Sequence, residues 1–126
     1  MLTERTYDKR IEKENTDKAL RTLSLCKGAG CLVIGTPAVC TAMRDFAEKK
    51  KKTRPYMVMI AEDISESTYR KLRSKTEFYH VELCLIPTSG ERMAQAAGKT
   101  GVVAAVAITD GNFIRAFHLT EKTTEI

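Results

Sequence analysis

The hydrophobic pattern of the chain switches between two periods. Four short runs are predominantly apolar, residues 31–34, 56–61, 81–86 and 102–108, and short runs of this kind are typical of strands that a sheet buries on both faces. Around these runs, apolar residues recur every three or four positions, which predicts helices that cover the sheet. Helices therefore alternate with strands, beginning and ending with a helix. This order predicts an α/β fold: a three-layer α/β/α sandwich with a central four-stranded mixed sheet.

The ends of the 126-residue chain lack this pattern. Residues 1–15 alternate basic and acidic side chains with little that could be buried, so we expect a flexible charged tail or a poorly packed helix. Residues 120–126 are expected to form a loose C-terminal tail. One α/β/α domain over residues 16–119 remains, which is long enough to bury a core without disulfides or metals.

The first apolar run leads directly into a helix, and this junction is the most informative stretch of the chain. Gly35 permits a tight turn, Thr36 can cap the helix with its hydroxyl, and Pro37 suits the first helical position. A helix that starts here directs unpaired N–H groups and a partial positive charge outward, the geometry that binds phosphates and nucleic-acid backbones. An ordinary strand-to-helix turn accounts for the same residues. The apolar stripe of the helix consists of Val39, Ala42, Met43, Phe46 and Ala47.

A second glycine-flanked loop precedes the last apolar run. Lys99, Thr100 and Gly101 form a flexible basic loop before Val102, and the alternating topology can place this loop at the same end of the sheet as Gly35. The other helices have recognisable starts, since serine, threonine, asparagine and aspartate favour the N-cap position. These starts are Asn15 or Thr16, Ser65, Ser89 or Gly90, and Asp110.

The net charge of +5 is unevenly distributed along the chain. Residues 1–16 are neutral overall, residues 17–75 carry +7 and residues 76–126 carry −2. A basic central segment favours a polyanionic partner, although solvated lysines on a stable domain produce the same asymmetry. Four consecutive lysines, residues 49–52, follow the second helix. We interpret them mainly as a solvated helix end, because basic side chains there suit the helix dipole.

Membrane, metal and catalytic roles are weakly supported. No apolar run reaches the ~18 residues of a membrane span and the N-terminus is charged, so we expect a cytoplasmic protein with no membrane partner. The four cysteines are then reduced thiols, and His80 and His118 stand alone, so neither a metal site nor a cofactor is predicted. Glu62 and Asp63 could hold a metal or act in acid–base catalysis, but two carboxylates are insufficient to predict a catalytic site.

Five short blocks of the sequence are similar to those of a known protein family. They are LSLCKGAG (23–30), GT (35–36), IAEDIS (60–65), AAG (96–98) and AVAITD (105–110). In this order and spacing they resemble the ribosomal protein L7Ae/L30e family, and within it the small bacterial YlxQ-type members, from residue 16 to about residue 119. The resemblance implies the same α/β/α sandwich and, as in the best-known members, binding of kink-turn RNA.

The resemblance also implies where RNA would bind. Kink-turn binders of this family grip the bent RNA backbone with the helix N-terminus after the glycine, and read tandem G·A pairs with polar side chains there. The usual asparagine, glutamate and basic positions hold Pro37, Ala38 and Thr41 in this sequence, so we expect contacts mainly with the RNA backbone and phosphates. The candidate RNA-binding residues are Lys27, Gly35, Thr36, Pro37, Ala38, Thr41, Arg44, Ser65, Lys99, Thr100, Gly101 and Val102.

Three functions are compatible with these observations. We favour a non-enzymatic, ribosome-associated RNA-binding protein: a monomer that docks structured RNA, ribosomal or messenger, with ribosome-associated proteins as further partners. The alternative is the same fold without RNA recognition, acting as a protein-interaction or regulatory module, because the polar readers are missing. An enzyme or small-anion binder at Gly35, Glu62 and Asp63 ranks last, since the sequence has no P-loop, nucleophile elbow or closely spaced Cys/His pair.

Overall fold

The computed structural model describes residues 5–117 and 119–125, so residues 1–4 and 126 of the expected tails, and His118, lie outside the described residues. The strands are β1 (Arg5–Ile11), β2 (Leu32–Ile34), β3 (Met57–Ala61), β4 (Glu82–Ile86), β5 (Ala105–Ile108) and β6 (Leu119–Glu125). The helices are α1 (Thr16–Gly28), α2 (Thr36–Ala47), α3 (Glu66–Tyr79), α4 (Gly90–Ala96) and α5 (Gly111–Ile114), and a short 3₁₀ turn, Lys13–Asn15, precedes α1.

The strands form one mixed sheet in the order β2-β5-β3-β4-β1-β6. β4 is parallel to both β3 and β1, whereas β5 is antiparallel to β2 and β3, and β6 is antiparallel to β1. Helices α1 and α4 pack on one face of the sheet, and α2 and α3 pack on the other. The predicted α/β/α sandwich with a mixed sheet is confirmed, but the described part of the chain contributes six strands instead of four.

β3 shows how one strand serves both faces of the sheet. Met57, Met59 and Ala61 face α1 and α4, while Val58 and Ile60 face α2 and α3. All five side chains are fully buried. A strand covered on both faces has no position for a polar side chain, which is why this segment is apolar at every position.

The N-terminal segment forms a strand, so the expectation of a tail or helix does not hold for residues 5–11. Tyr7 packs into the α2–α3 side of the core and Ile11 into the α1–α4 side. Asp8 accepts hydrogen bonds at Oδ2 from the Leu83 N–H at 2.8 Å and from Arg73 Nη2 at 3.1 Å. The strand was not recognisable because its two buried residues serve opposite faces, and its charged residues find partners far away in the sequence.

The C-terminal segment also joins the sheet. β6 pairs with β1 in a register that runs from Arg5↔Glu125 to Ile11↔Leu119, so the expected loose tail does not hold for residues 120–125. In the described part of the sheet β6 lies at an edge and pairs with β1 alone.

The strand that leads into α2 lies at the opposite edge of the sheet. Leu32, Val33 and Ile34 are half-buried, and β2 pairs with β5 alone in the described part of the sheet. The expectation that this run is buried on both faces does not hold, because an edge strand is covered less completely than a strand with two neighbours.

Three of the predicted helix starts are confirmed by side-chain caps. Ser65, Ser89 and Asp110 each accept a hydrogen bond from a backbone N–H in the first turn of their helix. The last helix is a single turn, shorter than its apolar pattern predicted, and its chain continues into β6. None of the helices in the described part of the chain has the length and apolar character that a membrane span requires.

Candidate nucleic-acid interface

The two predicted glycine loops lie at one end of the sheet, which we call the loop end. β2, β3 and β4 run in the same direction and finish there, and β5 begins there, because the Gly35 N–H donates to Ala105 O and the Ala61 N–H donates to Ala104 O. The loop end carries four segments of the chain. They are residues 35–41, 62–65, 88–90 and 99–102.

The start of α2 is built on Gly35. Its backbone angles, φ 97° and ψ 146°, are non-helical, and residues with a side chain rarely adopt them. Gly35 is therefore the N-cap residue. Thr36 is therefore the first helical residue, and the expected cap by its hydroxyl does not form. Pro37 is the second helical residue, one position later than predicted, and still in the first turn, where its missing N–H leaves no hydrogen bond unmade.

Two backbone amides at this start are available to a ligand. The Val39 N–H is not one of them, because it donates to Gly35 O at 2.9 Å. The N–H groups of Thr36 and Ala38 have no hydrogen-bond partner among the described residues. Unpaired amides at the positive end of a twelve-residue helix favour an anionic ligand.

The side chains around these amides are small and mostly uncharged. Pro37, Ala38 and Thr41 are exposed, and Thr36 is half-buried. Proline and alanine side chains neither donate nor accept hydrogen bonds, so the two threonine hydroxyls are the polar side-chain groups of the first two turns. This surface can contact a sugar-phosphate backbone but offers few groups that distinguish one base from another.

The loop after β3 has structural partners that the sequence did not reveal. Asp63 Oδ1 accepts a hydrogen bond from the Gly90 N–H at 2.9 Å, so this carboxylate satisfies the start of α4. Ser65 Oγ accepts from the Thr68 N–H at 3.2 Å, which is the cap of α3. Glu62 is exposed. Since Asp63 is committed to Gly90, the geometry gives no support to a catalytic carboxylate pair.

The loop of residues 99–102 is held at both of its ends. The Lys99 N–H donates to Ala94 O at 2.8 Å, and the Val103 N–H donates to Gly90 O at 2.9 Å. A Cβ on Gly90 would lie 2.5 Å from Val102 Cγ1 and 3.2 Å from Val103 O, so a larger residue would require Val102 to shift. Between the anchors Lys99, Thr100, Gly101 and Val102 are exposed, which leaves one cation and one apolar side chain presented outward at the loop end.

Two of the predicted basic residues lie away from the start of α2. Lys27 is in the last turn of α1, on the opposite face of the sheet, where its Nζ lies 2.6 Å from the position of a Cβ on Gly98. Arg44 lies two turns along α2, and its Nε is 3.6 Å from Asp45 Oδ1. Of the three predicted cations, Lys99 therefore lies in a loop-end segment, Lys27 reaches Gly98 beside that segment, and Arg44 lies farther along α2.

A groove along α2 was not anticipated from the sequence. Its volume is about 440 Å³, and its lining includes Val33, Pro37, Ala38, Thr41, Lys51 and Thr53. The groove forms because the segment after α2 folds back, with the N–H groups of Lys50 and Lys51 donating to Asp45 O at 2.8 and 3.3 Å. The run of lysines was the available signal, but its position beside the helix depends on backbone hydrogen bonds that no pattern reveals.

Three of the four cysteines belong to the core, and the fourth, Cys40, lies in the α2 segment of the loop end. Cys26, Cys31 and Cys84 are buried free thiols, and Cys40 is half-buried. Burial, reinforced by the neighbouring Cys31, raises the pKa of the Cys26 thiol to about 12. Burial also raises the pKa of Cys84. The thiols of Cys26 and Cys84 therefore remain protonated at neutral pH, which disfavours nucleophilic chemistry at these two residues.

Comparisons with known proteins bear on this geometry. A model of the Ribosomal protein L7Ae/L30e/S12e/Gadd45 family matches residues 17–118, whereas no curated protein sequence matches the chain significantly. Similar solved structures include a Giardia lamblia 15.5kD RNA binding protein, with a TM-score of 0.64, 14% identity, and coverage of 83% of this chain and 82% of that chain. A Bacillus halodurans protein of unknown function has a TM-score of 0.61 and 20% identity, and the match covers 76% and 88% of the two chains. At identities this low, the structural similarity establishes a shared fold and not a shared function.

Proposed function

The chain belongs to the ribosomal protein L7Ae/L30e/S12e/Gadd45 family, and from this premise we propose that it is a non-enzymatic protein that docks structured, kink-turn-like RNA at the loop end. Membership of the family supports RNA binding in general. The fold shared with a Giardia RNA binding protein agrees with it. The finer proposal concerns how RNA is held: through its backbone and phosphates.

The observation that carries this proposal is the pair of unpartnered amides at the start of α2. The N–H groups of Thr36 and Ala38 have no acceptor among the described residues, and hydrogen bonds from such amides to phosphate oxygens are stronger than bonds to neutral acceptors. The Thr41 hydroxyl and the Lys99 ammonium lie on neighbouring segments of the loop end and can add contacts. The rest of the proposed docking surface contributes its shape, and it consists of Ser65, Thr100, Gly101 and Val102.

The partner follows from the same chemistry. Because Pro37 and Ala38 lack hydrogen-bonding side chains, recognition would depend on the bent shape of the RNA more than on its bases. We therefore propose folded ribosomal or messenger RNA as the partner, with ribosome-associated proteins nearby, a monomeric state and a cytoplasmic location.

A matched pair of substitutions tests the amide contact. Thr36→Pro removes the N–H and the hydroxyl at a position where proline fits a helix start, and the ψ of Gly35, 146°, lies in the range that a following proline requires. Thr36→Val removes the hydroxyl alone. We expect T36P to weaken RNA binding at least about tenfold more than T36V, as the loss of one hydrogen bond to a charged group predicts. Titration with a labelled kink-turn RNA measures the affinity of each variant, and thermal unfolding shows that both variants fold. Equal affinities of the two variants would contradict the proposal.

The absence of polar readers favours one second candidate, a module that binds protein. Pro37, Ala38 and the 70% exposed Val102 give the loop end an apolar character that suits a protein partner. Affinity capture with and without ribonuclease separates the two functions. Partners that persist after RNA digestion, from a protein that binds no purified structured RNA, would support this candidate and contradict the first.

A further inference from the structure

We propose that the groove along α2 holds a single-stranded extension of the bound RNA, which leaves the loop end and runs toward residues 49–54. This inference rests on the proposed function and extends its contact surface. It assigns a role to the run of lysines, which lies outside the loop end.

The groove connects the two regions. Pro37 and Ala38, in the first turn of α2, line one part of it, and Lys51 and Thr53, which follow the end of the helix, line another. A volume of about 440 Å³ is within the ~300–1,000 Å³ of sites that enclose small organic groups. A nucleotide bound at the start of α2 therefore has a continuous path along the helix.

One cation, Lys51, lines this path, and the lysines beside it in the chain add positive charge that can attract phosphates. Lys49, Lys51 and Lys52 are exposed, and none has a carboxylate partner among the described residues. Lys50 pairs with Glu48 at 3.0 Å. One carboxylate, Asp45, also lines the groove. Its side chain is 15% exposed and lies 3.6 Å from Arg44 Nε, so its negative charge is partly compensated.

The apolar lining distinguishes a single strand from a duplex. Val33, Pro37 and Ala42 place hydrocarbon surface in the groove, and this surface can pack against the face of an unstacked base. A duplex keeps its base faces stacked and presents phosphates alone, so it would leave the apolar lining uncovered. Basic side chains beside surfaces that pack on bases are typical of single-strand binding.

The experiment compares one kink-turn RNA with and without a single-stranded uridine extension on either strand. We expect the extension to tighten binding by the unaltered protein at least about fivefold, as one packed base and one or two neutralised phosphates would give. The double substitution K51Q/K52Q should abolish this gain and leave binding of the RNA without extension unchanged. Thr53→Glu, which adds a negative charge to the lining, should have the same effect.

The control is K18Q/K71Q, which removes the same charge from exposed lysines on α1 and α3. If this control abolishes the gain as well, net charge and not the groove is responsible, and the inference is wrong. Equal binding of the two RNAs by the unaltered protein also overturns it, while the proposed function stands. If neither RNA binds, the proposed function fails and the inference fails with it. Equal competition by a polyglutamate peptide would show that any acidic chain enters the groove and would overturn the assignment to RNA.

Discussion

Gly35 is the residue on which the candidate interface most depends. Its φ of 97° turns the chain out of β2, and its N–H and carbonyl oxygen hold Ala105 and Val39 respectively. The sequence predicted the turn and a proline near the helix start, because both follow from backbone preferences of single residues. It did not predict that Thr36 lacks a capping role, because the cap depends on which residue takes the non-helical conformation.

The cysteines give a prediction at the scale of single residues. Cys40 is half-buried, whereas Cys26, Cys31 and Cys84 are buried, and burial raises the pKa of Cys26 to about 12. We expect an alkylating reagent to modify one thiol of the native protein at pH 8, and that thiol to be Cys40. The other three should react only in denaturant. Mass spectrometry of peptides after a timed reaction measures this, and Cys40→Ser is the control.

The same raised pKa predicts an alkaline loss of stability. In the unfolded chain the Cys26 thiol ionises near its ordinary pKa of 9.0, whereas burial in the folded protein raises this pKa to about 12. The folded state therefore binds the proton more tightly than the unfolded state. This tighter binding contributes fully to the free energy of unfolding below pH 9, and the contribution declines as the pH rises from 9 to 12. Rapid modification of Cys26 in the native protein at pH 8 would contradict both the burial and this explanation.

At the scale of the elements, apolar runs and caps were predictable, and the two charged strands β1 and β6 were not. The fully buried strands β3 and β5 have no polar position, so their sequences reveal them. β1 and β6 are rich in charged and polar residues, and their pairing is visible only when both ends of the chain are brought together. The groove beside α2 was missed for a similar reason, because it depends on the backbone of residues 50 and 51 meeting Asp45.

Asp8 gives a prediction for the docking of β1. Its carboxylate joins the Leu83 N–H and Arg73, so Asp8→Ala leaves both without this acceptor. We expect the free energy of unfolding to fall by about 1–3 kcal/mol. Asp8→Asn, which keeps an acceptor oxygen, should cost less. Urea denaturation measures the difference, and Glu14→Ala, at an exposed position in the turn before α1, is the control. An Asp8→Ala variant as stable as the control would show that this contact does not hold β1 in place.

At the scale of the whole molecule, the positive charge and the amide-bearing helix start are separated. The sequence predicted both features, and the composition predicted a polyanionic partner, but neither predicted their arrangement. The loop end combines two amides that have no partner among the described residues with Lys99 and the exposed Glu62, while the lysines of residues 49–52 lie beyond the end of α2. This arrangement is the reason to expect an extended contact with RNA, in which shape is recognised at one end and charge is neutralised along the helix.

The central claim is that the loop end binds bent RNA through its backbone, and one titration tests it most directly. The protein is titrated with a kink-turn RNA and with a straightened RNA of the same length and nearly the same sequence, at several salt concentrations. The account predicts at least about tenfold tighter binding of the kink-turn, a difference of ~1.4 kcal/mol, and affinities that fall steeply as salt rises because phosphates are neutralised. No preference for the bent RNA, or no binding of either, would contradict it.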